Sequence, residues 1–225
     1  MGALIINADD YAMDAGVDAA ILALGKQGRV TAASAMVLSP RWADAALALK
    51  DSELSVGLHI DFTSPFADRF FTRRQLPALI IAAHARFLDS RFFEDEIDRQ
   101  FDLFERGLHR PPGFIDGHQH VHHLPILRDA LFRVLKNRYG SGAELIGLRV
   151  CAARRWRGLK AAIIGATGAF ALARLAAVSG NPINSDFAGV YDFGGGELSV
   201  LWERWLDGLR GPLPLIMCHV AVECG

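Results

Sequence analysis

The sequence predicts an α/β fold: a single domain over residues 1–225, barrel-like and of (β/α) type, with mainly parallel strands. Short apolar runs at residues 4–7, 30–38 and 54–62 are typical of buried strands, and helical patterns separate them. Strands that alternate with helices are typical of right-handed βαβ units. A chain of 225 residues, 51% of them hydrophobic and 22% charged, suits one compact domain with a sizeable core.

The helices are predicted from spacing and capping. Asp14 is placed to cap a helix in which Val17, Ile21 and Leu24 recur at helical spacing and after which Gly28 follows. Residues 92–108 form an amphipathic pattern with a phenylalanine-rich stripe. Further helices are predicted at 40–49, 127–139 and 198–209, and further strands at 114–115, 144–150 and 214–219. Residues 64–88 are predicted to form a long loop with a short helix, and residues 181–191 a polar loop near the site.

The composition excludes several classes of partner. The formal net charge of -1 provides no electrostatic basis for binding nucleic acid. Cys151, Cys218 and Cys224 have no paired spacing, which predicts reduced thiols in a cytoplasmic protein. Residues 159–178 are the most apolar stretch, but it carries Lys160 and Arg174. Its uncharged part is shorter than the roughly 20 residues of a membrane span, so it predicts a buried or surface-adsorbed helix and no transmembrane segment.

Acidic and histidine side chains follow the predicted strands where each one ends. Asp9 and Asp10 come after the first strand, and His59 lies near the end of the third. Asp116 follows another strand and opens a histidine-rich stretch. Because the carboxyl ends of parallel strands carry the active site in barrels and open α/β sheets, we expect these residues to form one site.

Four of the eight histidines lie between His118 and His123. On an extended strand His118, His120 and His122 would share one face, whereas a turn at Val121 would separate them. Neutral imidazole is the commonest metal ligand. The cluster therefore favours a metal site over a polar surface loop with exposed histidines.

The residue types predict a catalytic metal site, which typically has three protein ligands and one open position. Asp10, His59 and one histidine of the cluster supply that number, with Asp9 as the carboxylate that takes a proton from water. Two imidazoles and one carboxylate suit Zn²⁺ better than Mg²⁺, but the sequence leaves the identity of this one divalent ion open. His219, after the last strand, is the acid–base candidate, with a core histidine as the alternative.

These motifs resemble those of the YdjC/ChbG-type carbohydrate deacetylases, which include the deacetylases associated with hopanoid biosynthesis. The resemblance rests on residues 6–11 (Ile-Asn-Ala-Asp-Asp-Tyr), 31–34, 56–59, 115–122 and 215–219, and so covers nearly the whole chain. It implies a metal-dependent hydrolase that removes N-acetyl groups from an amino sugar, a chito-oligosaccharide or a glycolipid. By position, it implies Asp9 as general base, Asp10, His59 and His118 as metal ligands, and Asp116, His120 and His122 as residues that line the substrate site.

Two departures from the family pattern qualify this expectation. The family has Phe where this chain has Tyr11, and it continues from its last histidine into Pro-Gly, whereas Val220 follows His219 here. The resemblance therefore implies a barrel that is incomplete at its C-terminus, with apolar surface left exposed or covered in a homodimer. Two other functions stay open: a different metal-dependent hydrolase such as a phosphoesterase, and a non-catalytic carbohydrate-binding relative.

Overall fold

The fold was examined in a computed structural model that describes residues 3–67, 76–191 and 197–222. Seven parallel strands form one sheet, in the order β5-β4-β3-β2-β1-β7-β6. The strands are β1 Ile5–Tyr11, β2 Ala32–Ala35, β3 Ser55–Ile60, β4 Phe114–Gly117, β5 Gly147–Leu148, β6 Phe187–Ala188 and β7 Leu215–Cys218. The helices of the described part are α1 Ala15–Lys26, α2 Trp42–Lys50, α3 Leu76–His84, α4 Ser90–Leu108, α5 Leu127–Tyr139, α6 Leu159–Ile164, α7 Phe170–Ser179 and α8 Leu198–Gly208.

The sheet is curled, and its two edges approach each other. A parallel bridge pairs Leu148 of the edge strand β5 with Ile183, which lies shortly before the other edge strand, β6. The Leu148 amide also donates to the carbonyl of Pro182 at 2.8 Å. The segment Pro182–Ile183 thus links the β5 edge of the sheet to the β6 edge, which confirms the predicted barrel-like arrangement of parallel strands.

The core fills the sheet interior and the layer between sheet and helices. The apolar stripe predicted at residues 92–108 is confirmed: the buried face of α4 includes Phe93, Phe101 and Phe104. Asp14 caps α1, because its side chain accepts from the Val17 amide at 3.0 Å. The helix ends at Lys26 and Gly28 adopts a φ of +67° two residues later, as expected for a residue without a Cβ.

One predicted strand and one predicted loop were wrong in extent. Residues 144–150 form a strand only at Gly147–Leu148, because a 3₁₀ turn occupies Gly140–Leu145. The loop predicted at residues 181–191 contains β6, which completes the sheet beside β7. β6 pairs over only two residues, Phe187 and Ala188, which is too short for an apolar pattern to be visible in the sequence.

The most apolar stretch is a helix, as predicted. Leu159–Ser179 has the length and hydropathy that would suffice to cross a membrane. Within the protein, 28% of its most apolar window is buried, so most of this window is exposed. The stretch consists of α6, a π-helical turn at Gly165–Ala169, and α7. The π turn packs on the 3₁₀ turn His118–His123 that follows β4, since a Cβ at Gly168 would lie 2.1 Å from the carbonyl oxygen of His123.

Candidate active site

The first strand carries two adjacent aspartates to the rim of the sheet. β1 pairs with β2 in register at Ala8 and Ala33, but Tyr11 then faces Ala35, so β1 contains one extra residue. This is the geometry of a β-bulge, and it falls on Asp9 and Asp10. Asp10 has a φ of +68°, which is rare for a residue with a Cβ. The bulge breaks the strict alternation of side chains, so both carboxylates reach the same site.

Three predicted ligands converge at this rim. Asp10 Oδ1 lies 3.1 Å from His118 Nδ1 and 3.4 Å from His59 Nε2. One potential ligand atom from each of these residues lies within 4.8 Å of the other two. Asp10 and His118 are half-buried, whereas His59 is buried. The structure thus brings together the three residues that the resemblance implied as metal ligands.

Asp116 orients the ring of His59. The two residues face each other in the pairing of β3 with β4, and His59 Nδ1 lies 2.5 Å from Asp116 Oδ1. The other oxygen of Asp116 accepts from Ser34 Oγ at 2.5 Å and lies 2.9 Å from Nη1 of Arg149. A carboxylate behind an imidazole sets its tautomer and directs the other nitrogen outward, as around many metal sites. Here that nitrogen is His59 Nε2, which faces Asp10.

Asp9 is held by a buried guanidinium group. Arg149 donates from Nη1 to Asp9 Oδ1 at 2.6 Å and from Nη2 to Oδ2 at 2.9 Å, which is a bidentate pair. Asn7 Nδ2 donates to the same Oδ1 at 2.6 Å. Asp9 and Arg149 are both buried. Asp9 therefore has a fixed orientation beside the group of Asp10, His59 and His118.

The electrostatics of this group follow from its paired charges. Burial alone would raise the pKa of Asp10, but His118 and His59 hold that pKa well below its ordinary value. Burial alone would lower the pKa of His59, but Asp116 and Asp10 raise it to about 10. In the metal-free protein His59 is therefore protonated at neutral pH and stabilises two carboxylates.

The rest of the histidine stretch behaves differently. The chain leaves the extended conformation already at His118 and forms a 3₁₀ turn over His118–His123, with positive φ at Gln119 and His120. His120 Nδ1 lies 3.4 Å from Cys151 Sγ. His122 Nε2 lies 2.8 Å from the Arg149 carbonyl oxygen. Of the two alternatives, an extended strand and a turn that separates the histidines, the structure has the turn. The turn begins at His118, three residues before Val121, so His118, His120 and His122 do not share one face.

Two of the predicted substrate contacts, Asp116 and His122, are buried, and their contact with a substrate stays a prediction. Asp116 is fully buried and bonded to Ser34, His59 and Arg149, and His122 is buried against the Arg149 carbonyl. These bonds support the site from behind. His120 is half-buried, and its placement as a substrate-lining residue stays a prediction.

His219 lies at the same rim. β7 pairs with β1 up to Cys218 and Ala8, so the next residues of both strands, His219 and Asp9, leave the sheet side by side. His219 Nε2 lies 3.8 Å from Asp10 Oδ2, and its side chain is 31% exposed. It therefore lies close to the ligand group on the side away from His59, with access to solvent.

The sequence prediction missed Arg149, Ser34 and Asn7. The position of Arg149 could have predicted a buried ion pair, because an arginine inside an apolar strand is buried only when it has a charged partner. Although burial disfavours its charge, Asp116 and Asp9 raise the pKa of Arg149 above its ordinary value. Asn7 lies two residues before Asp9 on the same strand face, and Ser34 lies in the 31–34 motif of the family resemblance, but neither was assigned a role.

The residues present fit a divalent metal ion. His59 Nε2 is buried, and no hydrogen bond to it is found within the described ranges. A buried nitrogen is costly to leave without a partner, and an ion ligated by Asp10 and His118 would supply one. Two imidazoles and a carboxylate are an ordinary donor set for a transition ion. Asp10, His59 and His118 are therefore the residues that would hold such an ion.

Comparison with known proteins agrees with this arrangement. The sequence profile of a family described as YdjC-like protein matches residues 3–224. The chain belongs to the YdjC-like family. The predicted resemblance is therefore confirmed.

Two curated relatives have names that state an activity. A carbohydrate deacetylase of Enterococcus faecalis is 27% identical over 165 residues, which cover 68% of this chain and 56% of the relative. A chitooligosaccharide deacetylase of Yersinia pestis is 32% identical over 136 residues, which cover 54% of this chain and 51% of the relative. The aligned part is thus about half the length of these curated relatives.

A solved structure matches over nearly the whole chain. The crystal structure of a protein from Enterococcus faecalis V583, called a cellobiose-phosphate cleavage protein, superposes with a TM-score of 0.70 at 20% identity. The match covers 98% of this chain and 82% of that chain. At this identity the likeness shows the fold.

Proposed function

We propose that this protein is a metal-dependent hydrolase that removes N-acetyl groups from the amino sugar of a carbohydrate or glycolipid. The observation that carries the proposal is the convergence of Asp10, His59 and His118, with His59 Nε2 buried, directed at Asp10 and without a hydrogen bond among the described residues. The names of the curated relatives supply the reaction class and the kind of substrate. An ion held by these three residues would polarise the amide carbonyl and lower the pKa of a bound water.

Asp9 is the proposed general base. Its Oδ1 accepts from both Asn7 and Arg149, while Oδ2 accepts from Arg149 alone among the described residues. Oδ2 therefore retains a lone pair that can take a proton from the attacking water. The bidentate pairing with Arg149 fixes the direction in which that lone pair points.

His219 is the proposed proton donor. Hydrolysis of an amide requires a proton on the leaving nitrogen, and a histidine opposite the base can deliver it. His219 lies across Asp10 from His59 and is partly exposed, so a substrate bound at the rim can reach it. Asp9 would thus take the proton of the attacking water, and His219 would return one to the leaving nitrogen.

The fold and the free thiols suit a cytoplasmic enzyme. Cys151 and Cys218 are buried and free, and burial raises the pKa of the Cys151 thiol to about 12, which makes it unreactive. Reduced, inert cysteines are typical of a reducing compartment. The proposed location can be checked by cell fractionation.

The proposal is tested by acetate release from N,N′-diacetylchitobiose with the full chain. Turnover should disappear with a chelator, return with Zn²⁺ or Mg²⁺, and fall by about 10²–10⁴ in Asp9→Asn. His59→Ala should abolish it, whereas His84→Ala, a change of the same kind at an exposed histidine of α3, should not. Turnover that persists in His59→Ala or in chelator would refute the mechanism.

A phosphoesterase is the second candidate, and the structure gives it less support. A two-metal phosphoesterase would need a carboxylate that bridges the ions, and Asp9 is the neighbour of Asp10 in position to do so. Both oxygens of Asp9 are instead bonded to Arg149. Hydrolysis of p-nitrophenyl phosphate together with binding of two ions per chain would favour this candidate over the deacetylase.

A further inference from the structure

The helical stretch Leu159–Ser179 exposes its large apolar side chains and buries its small ones. Leu159 is 68% exposed, Phe170 is 64% exposed and Val178 is 85% exposed. The residues that face the barrel are mostly small: Ala161, Gly165, Ala169, Leu172 and Ala176. A surface helix of a globular protein normally has the opposite arrangement, with its large apolar residues toward the core.

Exposed apolar residues recur on both sides of the kink at Gly168, whose φ is +143°. Leu159, Ile163 and Ala166 follow each other at intervals of three or four residues on one side of α6 and the turn after it. Phe170 and Val178 are exposed on α7, at four residues on either side of Arg174. Trp156, just before α6, is 75% exposed. We call the surface of Trp156, Leu159, Ile163, Phe170 and Val178 the apolar ridge. Tryptophan next to an apolar helix face is typical of a protein segment at the level of lipid headgroups.

Basic residues accompany the apolar ridge. Between residues 145 and 185 the sequence contains six Lys or Arg and no Asp or Glu, in a chain whose formal net charge is -1. Arg149 is buried in the site and Arg157 pairs with Asp186 at 2.9 Å. Arg155 and Arg174 are exposed, and within the described ranges neither forms an ion pair. Positive charge that surrounds an apolar face favours an anionic surface as the partner.

From the exposure of the apolar ridge and the positive charges of Arg155 and Arg174 beside it, we propose that this surface docks the protein on an anionic lipid bilayer. The helix would lie in the plane of the interface, with the ridge in the acyl boundary and Arg155 and Arg174 at the headgroups. It would not span the bilayer, because its inner face is packed on the turn His118–His123, where Gly168 meets the carbonyl of His123.

A second copy of the chain is the alternative occupant. A two-fold dimer places the same patch of both copies face to face. Positions 145–185 contain no Asp or Glu, and the acidic Glu144 lies only at the far end of the patch, beside Gly180. Such an interface would therefore bring mostly like charges together. The charge pattern therefore favours lipid over self-association.

The docked helix is in contact with the candidate active site. The turn His118–His123, which carries the predicted ligand His118, packs on the π turn at Gly168. The loop before α6 begins at Cys151, which lies beside His120. Lipid docking would therefore place the rim of the sheet next to the bilayer surface. This inference concerns binding alone and does not depend on the proposed reaction.

The test is co-sedimentation of the full chain with vesicles of phosphatidylcholine, with and without phosphatidylglycerol. Wild-type protein should sediment with the anionic vesicles. Ile163→Ser with Phe170→Ser should weaken binding by at least about a hundredfold, because two large apolar side chains no longer leave water. The matched control is Ile81→Ser with Phe87→Ser, an exposed apolar pair of the α3 region, and it should bind like the wild type.

The electrostatic part has its own matched pair. Arg155→Gln with Arg174→Gln should reduce binding to anionic vesicles about tenfold or more, while Arg29→Gln with Arg110→Gln should leave it unchanged. Circular dichroism checks that every variant is folded. The proposal is overturned if wild-type protein ignores anionic vesicles or if the ridge variant binds like its control. It is also overturned if sedimentation velocity shows a lipid-independent dimer that Phe170→Ser dissociates.

Discussion

Histidines of the stretch His118–His123 lie in two opposite electrostatic surroundings. The first group is His118 together with His59 of β3, and the second is His122 with His123. His118 faces the carboxylate of Asp10 at 3.1 Å and joins His59, whose pKa Asp116 and Asp10 raise to about 10 in spite of burial. His122 and His123 lie behind the sheet rim. Burial, with Arg149 nearby, holds the pKa of His122 well below its ordinary value and lowers that of His123 to about 3.

The difference shows what makes a histidine fit for a metal site. Both groups consist of buried or half-buried imidazoles, and a ligand triplet is geometrically conceivable in each, since His122, His123 and Cys151 also lie within 4.8 Å of one another. Only the first group contains a carboxylate, whereas the second lies against a guanidinium and a backbone carbonyl. A cation is stabilised in the first environment and opposed in the second.

The largest effect is expected for the replacement of His118. His118→Ala should reduce acetate release by about three orders of magnitude, because a lost ligand removes several kcal/mol of transition-state stabilisation. The melting temperature should change little, since His118 is only half-buried. The measurement is the turnover number at saturating metal, with His84→Ala as the control. Turnover within tenfold of the wild type would show that the two histidine groups do not differ in function.

The next effect concerns the carboxylate behind His59. Asp116→Asn should weaken metal binding by about 10–100-fold. An amide at position 116 would hold the His59 ring less firmly and would make His59 Nε2 a less basic ligand. Isothermal titration calorimetry measures this affinity. Asp116 also pairs with Arg149 at 2.9 Å, so the free energy of unfolding of Asp116→Asn is measured in addition to its metal affinity. Unchanged affinity in a folded variant would contradict the positioning role.

The pH dependence of metal binding tests the charge state of His59. Its raised pKa means that the ion pairs with Asp116 and Asp10 stabilise the metal-free protein fully below about pH 6.5, and that this contribution is lost as the pH rises through about 10. A metal ion must displace that proton. We therefore expect about one proton released per ion at pH 7, and an affinity that rises about tenfold per pH unit between pH 6 and 8. Calorimetry in buffers of different ionisation enthalpy counts the protons, and a count of zero would argue against His59 as a ligand.

The smallest effect on turnover is expected in the second group. His122→Phe should leave the turnover number within about threefold of the wild type. It should reduce the free energy of unfolding by about 1–3 kcal/mol, because the buried carbonyl of Arg149 loses its partner at 2.8 Å. Urea denaturation measures the stability. A selective loss of activity in a stable His122→Phe protein would instead assign the second group to catalysis.

The sequence by itself determined the fold class and the membership of the ligand group. Apolar runs alternating with helical patterns predicted the parallel sheet, because the period of hydrophobic residues reports which face is buried. Asp10, His59 and the histidine cluster lie at strand ends that must share one edge, so the topology predicted their proximity, and the family resemblance selected His118 within the cluster. The long amphipathic helix α4 and the cap at Asp14 were equally local in origin.

Only the tertiary structure decided the roles within the site. Arg149 reaches Asp9 across 140 positions of sequence and Ser34 reaches Asp116 across 82, and no local pattern encodes such pairs. The bulge at Asp10 and the early turn at His118 depend on positive φ angles that are stable only in their packed surroundings. The same holds for the apolar ridge: hydropathy marked it as a helix, but which face it exposes is set by close packing of Gly168 on His123.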